Sequence, residues 1–220
     1  MKKVIAFSLW GDNPKYCVGA VRNAFTAKTF YPGWEPWFYC GKSVPSEVVD
    51  SLRKEGARVL EMREKEDWTS TFWRFEPITD PEVEMMISRD TDSRLSARES
   101  AAVQAWIESG LLFHVMRDHP AHATEILAGM WGARKPILGD MMHLINAYMK
   151  IDTKQADQNF LREVVWPRVA YSTLAHDEFF AKKDFPHNRE GLEFVGQVYS
   201  ENDEPCLEFE NTLAESLRLK

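Results

Sequence analysis

The sequence predicts an α/β domain with a mostly parallel central sheet flanked by helices. Three observations carry that expectation. Apolar runs of strand length recur through the first half of the chain. Segments with helical spacing of their apolar residues separate them. The connections are short and hold turn-forming or capping residues, so strand and helix alternate as in a layered sheet architecture.

Taken in order, Val4-Ile5-Ala6-Phe7-Ser8-Leu9 is a nearly unbroken apolar run, as a strand covered on both faces requires. The cluster Trp10-Gly11-Asp12-Asn13-Pro14 ends it in a turn. Residues 16–30 have helical spacing, with Val18, Val21, Ala24 and Phe25 on one face. Residues 36–40 form a second strand. Residues 46–55 form a helix with a capping box, Ser46 being the N-cap behind Pro45. A third strand covers 57–60, and a fourth covers 83–88 and runs straight into Arg89-Asp90-Thr91-Asp92. Ser96 caps a helix over 97–109 that carries Glu99 in its first turn, and a strand over 111–116 follows. The second half is less regular. It holds apolar helices around 137–148 and 160–165, a strand over 171–175 and a charged amphipathic helix over 204–220. With no internal repeat and no low-complexity linker, residues 1–220 read as one domain in three parts: 1–96, 97–200 and a tail, 201–220.

The composition narrows the partners. The net charge is −7, so a nucleic-acid backbone is excluded as a partner, because phosphate chains need a basic face. A small phosphorylated ligand is compatible with an acidic protein when local cations or a bound metal meet it. The three cysteines, Cys17, Cys40 and Cys206, are scattered and odd in number. They fit no disulfide framework or zinc pattern, and they point to a reducing, cytoplasmic setting. The apolar run at the N-terminus is too short for a signal peptide, and no stretch is long enough to cross a bilayer.

In a sheet of this kind ligands sit beyond the carboxyl ends of the strands. That rule selects Leu9-Trp10-Gly11, the segment after Leu60, and residues 89–94. Asp90 and Asp92 stand in the last of these. Alternate residues of an extended segment point the same way, so the two carboxylates can converge on one ion. Hard oxygen donors without Cys or His suit Mg²⁺ or Mn²⁺. Arg89 and Arg94 flank the pair, placed to hold phosphates or to orient the carboxylates. The same spacing also fits a plain strand-end turn with solvated acids and two salt bridges.

Longer stretches carry a resemblance. Thr71-Phe72-Trp73-Arg74-Phe75, followed by Ser88-Arg89-Asp90-Thr91-Asp92-Ser93-Arg94-Leu95, resembles the donor site of glycosyltransferases of the A-type (GT-A) fold with a D-x-D metal motif. Several such families place an arginine on a short helix one element upstream, where Arg74 stands. Residues 113–120 and Ile126-Leu127-Ala128-Gly129-Met130-Trp131-Gly132 resemble a segment of small glycosyltransferase domains of bacteria and large DNA viruses. There the second stretch commonly reads I-L-G-G-M-W-G, and Ala128 departs from it. Asp157-Gln158 resembles the D-Q pair of retaining families. The likeness spans residues 4–199. It implies a nucleotide-diphosphate-sugar donor such as a UDP-sugar, Mn²⁺ or Mg²⁺, and hexosyl or deoxyhexosyl transfer to a hydroxyl of a glycan or other acceptor, with retention slightly favoured.

The resemblance assigns roles. Residues 1–96 become the nucleotide- and metal-binding half, and 97–200 the sugar and acceptor half. Ser8, Leu9 and Trp10 meet the nucleoside, although Trp10 also fits a core position. Arg74, Arg89 and Thr91 line the donor phosphates. Asp90 and Asp92 hold the metal, with His176 as a third ligand. By their chemistry, residues 117–122 and 129–132 form the sugar pocket, with Asp118, His119 and Trp131 as its contacts. Asp118, Asp140 and Asp157 are the carboxylates near the reacting carbon. His114, His119 and His122 lack the thiolate or glutamate base of a zinc site. Two other readings remain. A sugar nucleotidyltransferase normally carries a glycine-rich basic loop after its first strand, and residues 10–15 have little of that. A non-catalytic nucleotide-sugar-binding module shares the rest. A phosphatase with D-x-D on its first strand is excluded, because residues 4–9 hold no aspartate.

Overall fold

The computed structural model describes residues 1–148 and 153–218. Its strands are β1 (Lys2–Leu9), β2 (Glu35–Cys40), β3 (Arg58–Glu61), β4 (Val83–Ser88), β5 (Phe113–Arg117), β6 (Trp131–Arg134) and β7 (Thr173–Asp177). They form one sheet in the order β3-β2-β1-β4-β6-β5-β7. Only β6 runs against the others; it is antiparallel to β4 and β5, and all remaining pairs are parallel.

Alternation along the strands decides what lies on each face. Val4, Ala6, Trp37 and Met86 face one core, with Phe72 and Phe75 of a 3₁₀ segment (Trp68–Thr79) packed against them. Helices α4 (Met141–Tyr148) and α5 (Ala156–Phe160) close that side with Leu144, Ile145 and Phe160. Ile5, Phe7, Leu9, Phe38 and Ile87 face a second core. Helices α1 (Pro14–Phe30), α2 (Ser46–Lys54) and α3 (Ala97–Ser109) cover it with Ala20, Ala24, Leu52, Val103 and Trp106. Both faces are covered, which is why β1 and β4 are apolar at every position in their middle.

Several local expectations need correction. Helix α1 starts at Pro14 behind Asn13, whose side chain accepts from the Lys15 amide. Its buried face is Cys17, Gly19, Ala20, Asn23, Ala24 and Ala27, while Phe25, expected inside, is 55% exposed. Small residues win because the helix must approach the chain after β4 closely. A Cβ on Gly19 would lie 1.9 Å from the Thr91 carbonyl oxygen. Asn23 donates to the Ser93 carbonyl at 2.9 Å and accepts from the Leu95 amide at 3.1 Å. Helix α2 has no side-chain cap, so the Ser46 capping box does not form. A true capping box opens the 3₁₀ segment instead, with Asp67 and Ser70 as its partners.

Helix α3 is as expected: Ser96 accepts from the Glu99 amide, and Gly110 closes the helix in the left-handed region at φ 72°. Strand β6 has no counterpart in the sequence reading, which takes Trp131 as part of the sugar pocket. The stretch 156–169 is one helical run through α5, a π turn (Leu161–Val165) and α6 (Trp166–Val169). Pro167, which cannot donate, sits just past the wide turn. Strand β7 continues past 175 to include His176 and Asp177. The C-terminal helix α7 is Leu207–Arg218; Leu219 and Lys220, part of the expected tail helix, lie outside the described residues. The three cysteines are free.

Candidate active site

A cleft of about 810 Å³ opens at the carboxyl ends of β1 and β4. Its floor is Ser8, Leu9 and Trp10 from β1 and the residues just beyond it. Thr71 and Arg74 of the 3₁₀ segment form one side. Asp90, Thr91 and Asp92, just after β4, form another. The connection from β5 to β6 adds a wall from Ala121 to Met130, and Lys154, Gln155, Asp157 and Gln158 add the next. Gly196 and Val198 close it from the C-terminal region.

Arg74 organises this cleft. The Arg74 amide donates to Ser8 Oγ at 3.1 Å, and Ser8 Oγ donates to the Thr71 carbonyl, so the end of β1 fixes the 3₁₀ segment. The guanidinium is 6% exposed and forks between two carboxylates, with Nη1 on Asp90 and Nη2 on Asp157 at 2.9 Å. Burial works against its charge, but Asp90 and Asp157 outweigh burial and keep its pKa above the usual value. Asp157 also accepts from the Gln158 amide at 2.9 Å, so both its oxygens are engaged. Gln158 fastens the opposite wall, accepting from the Ala128 amide and donating to the Ile126 carbonyl. Trp10 stands edge-on to Trp73, with ring centroids 6.3 Å apart.

Asp92 pairs with the Lys15 ammonium at 2.8 Å, and its carbonyl accepts from the Tyr199 amide at 2.8 Å. Burial first, and then the neighbouring Asp90 carboxylate, push the Asp92 carboxyl above the usual range; Lys15 pulls it back in part. Gly129 meets Asp90 from the other wall, where a Cβ would stand 2.0 Å from Asp90 Oδ2. Two hard carboxylates that repel each other on one wall of the cleft fit a divalent Mg²⁺ or Mn²⁺ ion. No third His, Cys, Asp or Glu joins them in a metal-holding cluster among the described residues, so the rest of such an ion's shell falls to ligand oxygens and water.

Other residues singled out from the sequence point elsewhere. Arg89 lies beside Asp90 but on the opposite side of the chain. It is 1% exposed, bonded to Glu99 at 2.7 Å and to the Trp131 carbonyl at 3.1 Å. Arg94 bonds Asp203 and stacks over Tyr199. Asp118 is fully buried between Arg98, Arg189 and the Val195 amide, leaving no oxygen free for a sugar. His119 donates to the Phe209 carbonyl and packs on Phe194, tying α7 to the loop after β5. Trp131 is stacked on Phe113 inside the sheet core. Asp140 makes a half-exposed pair with Arg168 outside the cleft. His176 bonds His114 at 2.8 Å beneath β5 and β7, away from the aspartates. The sequence reading overlooked Lys15, although it directly follows the turn after β1, where the strand-end rule already pointed. It included His122 in the stretch 117–122 expected to line the sugar pocket but gave that side chain no role of its own.

No protein-family model matches the chain, and no curated protein matches it in sequence. Solved structures do match. A glycosyltransferase involved in the glycosylation of the major capsid of PBCV-1 is 14% identical, with a TM-score of 0.56 over 82% of this chain and 84% of that one. Glucosyl-3-phosphoglycerate synthase from Mycobacterium tuberculosis, solved with Mn²⁺, UDP-glucose and glycerol 3-phosphate, is 10% identical, with a TM-score of 0.53 over 86% and 73%. A 4-diphosphocytidyl-2C-methyl-D-erythritol synthase from Anaerococcus prevotii, a nucleotidyltransferase, is 9% identical, with a TM-score of 0.51 over 80% and 86%. At these identities the likeness is one of fold. The chain has the GT-A-like fold anticipated from its sequence.

Proposed function

We propose that this chain is a glycosyltransferase that takes a hexosyl or deoxyhexosyl group from a nucleotide-diphosphate sugar and passes it to an acceptor hydroxyl. The observation that carries the reading is the Asp90–Arg74–Asp157 array at the carboxyl ends of the strands, inside the cleft of about 810 Å³. Asp90 and Asp92 are the residues that would hold Mg²⁺ or Mn²⁺. Such an ion neutralises charge on a departing diphosphate.

The chain's own residues do the rest. Ser8 and Leu9 bring the strand end to the cleft, and Trp10 offers the surface for the nucleoside, while the Leu9 side chain stays in the second core. Arg74 holds Asp90 and Asp157 at a fixed separation, a task its planar fork performs and a lysine does not. Of the three carboxylates considered near the reacting carbon, Asp157 alone lines the cleft. Both its oxygens already accept hydrogen bonds, which suits it to steadying positive charge on the sugar and not to taking a proton from the acceptor. That favours retention. The glycosyltransferases of like fold support the reading, among them the synthase solved with Mn²⁺ and UDP-glucose.

The test is calorimetry with UDP and UDP-glucose, with and without Mn²⁺, followed by NMR of any released sugar to read its anomeric form. Binding strengthens with Mn²⁺ in the wild type, and Asp92→Ala removes that gain. Equal affinity in excess chelator sinks the metal assignment. The synthase from Anaerococcus prevotii lends some support to a nucleotidyltransferase reading. Pyrophosphate release from a nucleoside triphosphate and a sugar 1-phosphate, with no turnover of nucleotide-sugar, would select it instead.

A further inference from the structure

The wall from Ala121 to Met130 meets Asp90 at Gly129 and carries no cationic side chain. Alanines, Leu127 and Met130 make up most of it, and His122 is its one imidazole. His122 is 9% exposed. Its ring is held between His119 and Phe194, with centroids 5.5 and 5.9 Å away. The Asp118 amide donates to His122 Nδ1 at 3.1 Å. A backbone amide can only donate, so Nδ1 carries the lone pair and the ring proton sits on Nε2. This tautomer is set by the main chain. No hydrogen bond to Nε2–H is formed among the described residues, and His122 is one of the residues that line the cleft.

Protonation would put a second hydrogen on Nδ1, against the Asp118 amide. Burial, then His119 and Arg189, push the imidazole down to about 3, against the pull of Asp177. The ring therefore stays neutral in ordinary buffers. It is neither a general acid nor a cation for phosphate, and its free nitrogen is not a metal ligand.

We propose that His122 reads the transferred sugar, its Nε2–H donating a fixed hydrogen bond to one sugar hydroxyl oxygen. The inference rests on the nucleotide-sugar reading. The chemistry of the wall selects the ligand group. A phosphate would call for Arg or Lys, which this wall lacks. A pyranose offers neutral acceptor oxygens and C–H faces, which match one neutral N–H among alanine, leucine and methionine side chains.

The experiment uses the full chain at saturating Mg²⁺. Calorimetry compares UDP with UDP-glucose, UDP-galactose and UDP-N-acetylglucosamine for the wild type, His122→Phe and His122→Gln. Thermal melts establish that the variants fold. His122→Phe is expected to weaken the best-bound UDP-sugar about tenfold, with UDP held within about twofold. His122→Gln, which keeps an N–H donor, recovers much of that loss. In ¹⁵N-labelled wild type, the His122 Nε2–H resonance shifts with the UDP-sugar and not with UDP, a readout that needs no variant. Equal weakening of UDP and UDP-sugar places His122 on the nucleotide or the fold and overturns the proposal. So does an unchanged ratio together with an unmoved resonance, which leaves the nucleotide-sugar reading standing. A wild type that binds none of the four probes sinks both.

Discussion

Two cations of the chain itself sit on the aspartates after β4: Arg74 on Asp90 and Lys15 on Asp92. They are not equivalent. Arg74 is buried and bridges two carboxylates, so Arg74→Lys leaves either Asp90 or Asp157 without its partner. Turnover is expected to fall at least ~100-fold while the melting temperature moves by a few degrees; steady-state kinetics and calorimetry read both. Lys15 is a single ammonium 29% exposed, on the position a metal would claim. Lys15→Met removes that competitor. Mn²⁺ alone is then expected to bind on the order of tenfold tighter, about 1.4 kcal/mol. A titration showing equal or weaker Mn²⁺ affinity contradicts this competition. At this scale the strand-end rule found residues that line the cleft, as at Trp10, Gly11, Asp90 and Asp92. The sequence misled where the direction of a side chain decided the matter. Arg89 follows the strand and precedes Asp90, so alternation turns it into the other core. Asp118 and His119 look like ligand-facing polar residues, yet both spend their atoms on Arg98, Arg189 and Phe209.

Helix α1 escaped the apolar spacing at both its start and its face. Asn13 and Pro14, read as a turn, cap and begin it, and the spacing chose Val18 and Phe25 over Gly19 and Asn23. Its actual task is to grip the segment after β4 through backbone contacts, which no apolar pattern encodes. Gly19→Ala forces a methyl group into the Thr91 carbonyl, and backbone has little room to give. A loss of about 1–3 kcal/mol in denaturant unfolding is expected, with Mn²⁺-dependent UDP binding weakened in the protein that still folds. Stability equal to wild type would mean that the contact relaxes freely. Strand β6 was missed for a related reason. Four residues with a glycine resemble a turn until β4 and β5 are there to pair with them.

Across the whole molecule, buried imidazoles set the response to acid. Burial, then His176 and Arg89, hold His114 well below the usual 6.5. Burial, then Arg98, brings His176 down to about 4, and His122 lies near 3. The unfolded chain takes up these protons near pH 6.5 and the folded chain does not, so stability is intact above that pH and falls as pH drops toward about 4. Glu76 acts the opposite way. Burial, then Glu64, raises it to about 7, so its contribution is present below 4.5 and lost as pH rises through about 7. With His119 also held below 6.5, four imidazoles outweigh the two raised carboxyls, Glu76 and Asp92, and each unmatched proton is worth about 1.4 kcal/mol per pH unit. The melting temperature is therefore expected to fall from pH 6.5 to 4.5. Glu76→Gln stabilises the fold at pH 8 by about 1 kcal/mol after allowance for partial exposure, and not at pH 4.5. Scanning calorimetry across that range checks both; a flat profile contradicts the burial argument.

The cleft draws its walls from both ends of the chain, from Ser8 at the end of the first strand to Val198 near the last helix. Strand β1 sits between β2 and β4, so its second neighbour is made only after two helices and the 3₁₀ segment have intervened. Contacts between residues far apart in sequence are slow to form, because loop closure must precede their reward. During synthesis the nascent sheet therefore emerges well before the segment that closes over it. No fragment that stops short of Val198 carries a finished binding surface, so the capacity to hold a ligand waits until that segment has been made.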